Sequence, residues 1–141
     1  MIREYVQEDI DQIIEIWHRS STVAHPFLDS GFVSKVRNDM RQLYIPNSKT
    51  WVYESGNSIV AFISMHDNEI GGLFVLPQYQ SKGIGSELVD FVIKGHPVIE
   101  VEVFERNVMG RAFYEKYGFK LVKSYYHLNS RNEVLRLALK S

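Results

Sequence analysis

Apolar residues Ile10, Ile13, Ile14 and Trp17 recur three and four positions apart, which predicts an amphipathic helix over residues 8–21 with an acidic start that suits the helix dipole. A short strand over residues 2–5 precedes it. Pro26 breaks the pattern, and Asp29 or Ser30 then caps a second helix carrying Phe32, Val36, Met40 and Leu43 as far as Pro46. From Thr50 the period changes to two. Residues 50–54, 59–65 and 73–76 read as strands joined by turns at Gly56-Asn57 and Asp67-Asn68, an antiparallel meander. Ile84, Leu88, Val89, Val92 and Ile93 mark a third helix that Gly95 and Pro97 stop. A strand over residues 98–104, a helix over 108–117 and a closing hairpin of residues 120–128 and 133–139 complete the chain. The order is βααβββαβαββ. A meander feeding a βαβ unit implies an α/β (α+β) fold, with a mixed, mostly antiparallel central sheet and helices on both faces.

Composition narrows the function classes. With 141 residues and no Pro-, Gly- or Ser-rich linker, residues 1–141 read as a single domain. Seventeen acidic against sixteen basic side chains leave a formal charge of -1, which provides no global field for nucleic acid or an anionic membrane. The absence of cysteine excludes disulfides, thiolate metal sites and a cysteine nucleophile. None of the five histidines falls at ligand spacing, so no metal is expected. An acidic N-terminal stretch, and an apolar run no longer than residues 59–63, predict a cytoplasmic protein without a membrane span. Monomer and homodimer both remain open.

The segment from Val75 to Ser86 lies between a strand and a helix and contains Gln80-Ser81-Lys82-Gly83-Ile84-Gly85. Unpaired N–H groups at a helix start, with glycines that let several amides face one anion, suit phosphate. There is no third glycine at Leu88 for a dinucleotide fingerprint, and no Lys-Ser/Thr pair for a P-loop. The hexapeptide instead resembles the Gln/Arg-x-x-Gly-x-Gly/Ala signature of the GNAT superfamily of acyl-CoA-dependent N-acetyltransferases. Asn107, Phe113-Tyr114 and Gly118-Phe119 resemble that family's second signature, and the element order agrees over essentially the whole chain. Gly110 departs from it, standing where the family usually has Ala.

The resemblance implies an enzyme that moves an acetyl group from acetyl-CoA to a primary amine by direct attack on the thioester. It places the pyrophosphate on the amides from Ser81 and Lys82 through Gly83, Ile84, Gly85 and Ser86, with Gln80 as a further cofactor-binding residue. The pantetheine arm would pair with Leu73, Phe74 and Val75 like an added strand, Val75 N–H would face the thioester oxygen, and Asn107 would both cap its helix and reach the pantetheine. Tyr114 matches the family's general acid. Glu102 resembles the glutamate of ribosomal-protein acetyltransferases, and strand alternation puts it on one face with Glu100 and Phe104; Glu69 and water are the other candidates for the base. His25 and Phe27, in the loop between the first two helices, border the acceptor site. The chain looks like a small bacterial subgroup that includes protein-lysine acetyltransferases, with a small polyamine-like amine as the second acceptor class. A non-catalytic acyl-CoA sensor is the rival reading. A tRNA-linked acceptor would need a basic cluster such as Arg106, Arg111, Lys116, Lys120 and Lys123.

Overall fold

The computed structural model describes residues 1–140. Seven strands form one sheet in the order β1-β2-β3-β4-β5-β7-β6. They are β1 (Ile2–Glu4), β2 (Lys49–Ser55), β3 (Ser58–His66), β4 (Glu69–Val75), β5 (Val98–Phe104), β6 (Lys120–His127) and β7 (Asn132–Lys140), and only β4 and β5 run parallel. The helices are α1 (Ile10–Ala24), α2 (Ser30–Asp39), α3 (Ile84–Val92) and α4 (Val108–Tyr117). The predicted element order therefore holds, with β5 and α4 at their expected bounds.

The unbroken apolar run in β3 now has a reason. Residues 59–65 are buried on both faces of the strand, because α1 and α3 each pack on β3 and β4, and a strand covered from both sides has no need of alternation. Ile13, Phe62, Ile63, Leu88 and Ile99 are at the centre of this core. Arg3 holds Asp9 at 2.8 Å and also Glu54, which ties the start of α1 to the sheet edge.

The second helix differs from its sequence pattern. Asp29 caps it by accepting from Phe32 N–H at 2.8 Å, but after Asp39 the chain widens into a π-helical turn, Met40–Tyr44. The wider turn rotates the later side chains, so that Met40 is buried while Leu43, expected on the core face, is 52% exposed. No residue of α2 is buried. No helix among the described residues is long and apolar enough to cross a membrane.

Candidate active site

The site begins where the sheet divides. β4 and β5 pair only at Glu69↔Glu100 and Ile70↔Val101; beyond that point β4 stays with β3 and β5 stays with β7. Gly71 is the extra residue of a bulge, since Ser64 faces Gly72 and Met65 faces Ile70. Val75 lies opposite Ala61, and Leu76 N–H donates to Val60 O at 2.9 Å, so Val75 belongs to a non-hydrogen-bonded pair and turns its own N–H and C=O away from β3. Leu73, two residues earlier, does the same. The resulting strand edge faces a cavity of about 960 Å³ that runs from the glycine loop to Leu28, Phe32 and Val36.

The loop leaves β4 through a 3-10 turn, Pro77–Tyr79, and is anchored by Gln80, whose Nε2 donates to Val75 O at 3.0 Å. Ser20 Oγ bonds to the same carbonyl at 2.9 Å. Ser81 and Gly83 both take left-handed backbone, φ 63° and 85°, and α3 then starts with no side-chain cap, leaving its first amides for a ligand. A Cβ on Gly83 would meet no protein atom within 4 Å, whereas one on Gly85 would come 3.2 Å from the Phe113 ring. Gly83 thus leaves open space beside the start of α3, and Gly85 lets α3 approach α4. Leu73, Phe74, Gln80, Ser81, Ile84 and Ser86 border the cavity with them, while Lys82 lies over the Tyr79 ring at 5.5 Å.

Asn107 caps α4 by accepting from Gly110 N–H at 2.9 Å and reaches His25 Nε2 with its Nδ2 at 3.1 Å. Tyr114, about two turns further along α4, is buried, borders the cavity and packs edge-on against Phe113 and Phe119 at 5.2 Å. Burial pushes its phenol well above the usual range. His25 also bonds to Ser21 Oγ at 2.9 Å, so both its ring nitrogens are engaged inside the protein, and burial holds it down at about 4. Phe27 packs against the rings of His25 and Phe104 under the Arg106 guanidinium.

The β5 wall is charged. Glu69, Glu100 and Glu102 all bind Arg136 of β7, at 2.7 Å for Glu69 and 3.1 Å for Glu102. Tyr125 donates to Glu102 Oε2 at 2.7 Å and is itself pushed up to about 12, first by burial and then by that bond. Glu102 is the only acidic residue bordering the cavity, and Glu69 lies behind it, on the Arg136 side. Arg136, Tyr125 and Phe32 are the functional-site neighbours that sequence reasoning missed. The first two would have emerged only from the register that puts Arg136 opposite both Glu102 and Lys123.

Comparison with known proteins gives a consistent picture. Residues 46–121 match the family model described as acetyltransferase (GNAT) domain. Peptidyl-lysine N-acetyltransferase YiaC of Escherichia coli (strain K12) is 31% identical over 123 residues, which cover 86% of this chain and 84% of that protein. Peptidyl-lysine N-acetyltransferase YjaB of the same organism is 27% identical over 121 residues, covering 85% and 82%. The solution structure of apo-form YjaB superposes with a TM-score of 0.87 at 26% identity, over 98% of this chain and 95% of that one. The fold also matches the PaiA N-acetyltransferase of Thermoplasma acidophilum in complex with coenzyme A, with a TM-score of 0.79 at 20% identity over 96% of each chain.

Proposed function

Because the chain belongs to the GNAT acetyltransferase family, we propose that its divided sheet is where acetyl-CoA meets a primary amine, and that residues 1–141 act as one N-acetyltransferase domain on protein lysine. The observation that carries this reading is the free edge of β4 followed, through the glycine loop, by an uncapped helix start. Such an edge accepts an amide-bearing chain, and such a helix start accepts phosphate. The residues present fit: the φ of Gly83 and the empty space around its missing Cβ leave room for an anion against the backbone.

In this assignment the amides of residues 81–86 hold the pyrophosphate, and the outward N–H and C=O of Leu73 pair with the pantetheine, with Phe74 and Asn107 lining its path. Acetyl-CoA, when bound, supplies an activated thioester carbonyl. Val75 N–H is the donor placed to stabilise negative charge developing on that carbonyl oxygen. Tyr114 keeps its proton at neutral pH, because burial disfavours the phenolate, and so acts as the donor to the departing sulfur. Glu102 takes the amine proton, directly or through water, with Arg136 and Tyr125 fixing its carboxylate; Glu69 is the second candidate. His25 and Phe27 shape the acceptor end.

Two relatives named for peptidyl-lysine acetylation support protein lysine over a small amine as acceptor. Dependence on acetyl-CoA supports a cytoplasmic setting. The test is calorimetric titration with acetyl-CoA, followed by thiol release with lysine peptides and with polyamines. Binding with peptide-dependent release is expected. Release only with polyamines would make the acceptor a small amine, binding without release would favour a sensor, and no binding would overturn the reading.

A further inference from the structure

The contact between His25 and Asn107 joins two elements that are far apart in the chain, the C-terminal end of α1 and the first turn of α4. Proton accounting fixes its direction. Asn107 Oδ1 accepts from Gly110 N–H at 2.9 Å, so the end of the amide that faces His25 is Nδ2, which can only donate. Nε2 of His25 must therefore present its lone pair. A neutral imidazole has one N–H, which then lies on Nδ1 and is donated to Ser21 Oγ at 2.9 Å. The ring is held in that orientation by edge-on packing against Phe104 at 5.0 Å and Phe27 at 5.8 Å.

Gly110 supplies a second, independent observation. Gly110 stands in the first turn of α4, where a Cβ would sit 2.5 Å from Asn107 Nδ2 and 2.9 Å from its Cγ. Any other residue there would push the amide away from His25. The glycine inside α4 and the histidine at the end of α1 thus serve the same side-chain position.

We infer that His25 is a positioning residue, which accepts a hydrogen bond from Asn107 and so clamps the first turn of α4 to the α1–α2 connection, and that Gly110 leaves the space this clamp requires. Asn107, Gly110 and His25 all border the cavity, so the clamp sets the width between the wall that carries Tyr114 and the wall built on α1. The kinetic consequence rests on the proposed acetyl-CoA site; the hydrogen-bond pattern does not.

The test has two arms. Long-range proton–nitrogen correlation spectra of the free wild-type protein at neutral pH report the His25 tautomer, with Nδ1 protonated and Nε2 bare as the expected result; a proton on Nε2 would overturn the clamp. In kinetics, His25→Phe keeps a ring but removes the acceptor and should raise KM for acetyl-CoA about fivefold, the effect of one ordinary hydrogen bond, with kcat within about twofold. His25→Gln, which restores an acceptor, should recover most of that loss. Gly110→Ala should match His25→Phe, and the double variant should be no worse than either, because all act on one interaction. Effects that multiply, or a glutamine that rescues nothing, would overturn it. If the wild-type protein fails to bind acetyl-CoA, the functional reading fails while the tautomer still decides the clamp.

Discussion

The wall of the cavity formed by β4 and the glycine loop offers backbone: outward amides at Leu73 and Val75, left-handed turns at Ser81 and Gly83, and the open start of α3. The opposite wall, on β5, β7 and α4, offers side chains: Glu102 held by Arg136 and Tyr125, Tyr114 among aromatic rings, and Asn107 held by His25. Backbone donors suit an anion or a peptide-like chain whatever sequence surrounds them, while side chains select a particular proton donor or acceptor. Under the proposed function the first wall holds the cofactor, and the second reacts and chooses.

The largest effect expected is on the holding wall. Gly83→Val places a β-branched residue at φ 85° and fills the open space beside the start of α3, so acetyl-CoA affinity by calorimetry should fall at least ~100-fold while the circular dichroism of the fold persists. Binding within a few-fold of wild type would move the anion elsewhere.

On the selecting wall, the next effect is one of stability. His25 is held at about 4 in the folded protein against 6.5 ordinarily, by burial. Between those values the unfolded chain takes up a proton that the folded chain refuses, so this contribution is complete above pH 6.5 and is lost as pH falls towards about 4. The loss amounts to roughly 3 kcal/mol at full extent. Arg106 above Phe27 and His127 beside Phe104 are the other titratable or charged groups packed around these rings. Urea unfolding of wild type and His25→Phe, compared at neutral and acid pH, isolates the histidine; parallel pH dependences would mean that it is not buried neutral.

Two substitutions then separate reaction from holding. Tyr114→Phe removes only a hydroxyl and should lower kcat roughly a hundredfold with KM for acetyl-CoA within about twofold. A near wild-type rate would leave Tyr114 as packing for Phe113 and Phe119. Glu102→Gln should cost roughly tenfold in kcat/KM, most on the acid side where more of the amine carries a proton. An unchanged pH–rate profile would shift the base to Glu69 or water.

The same contrast decides what could be seen in the sequence. The first wall depends on neighbours along the chain, so the spacing of Gln80, Gly83 and Gly85 after an apolar strand marks the loop and the helix start that follows it, and the family resemblance supplies the cofactor proposed for them. Helix and strand periods likewise locate β5 and α4, while the cap of α2 is narrowed only to Asp29 or Ser30. The selecting wall depends on register between distant strands. Nothing local to Arg136 marks it as the shared partner of Glu69, Glu100 and Glu102, because that role exists only once β7 has docked against β5. The Gly110 departure was visible as a residue, but its meaning required the position of an asparagine side chain three residues away, turned by a histidine from another helix. The π-helical turn after Asp39 also left no mark in the apolar spacing, which continues through Met40 and Leu43 as if the helix were regular.

Strand β7 lies between β5 and β6 in the sheet although it follows both in the chain. A nascent polypeptide emerging N-terminus first can assemble β1 to β4 with α1 and α3 from residues already released, but β5 and β6 have no mutual pairing until residues 132–140 are inserted between them. The wall built on β5, β7 and α4 therefore closes only after β7 is made. A stalled chain ending before β7 would expose the unpaired edge of β5 to chaperones or to other chains.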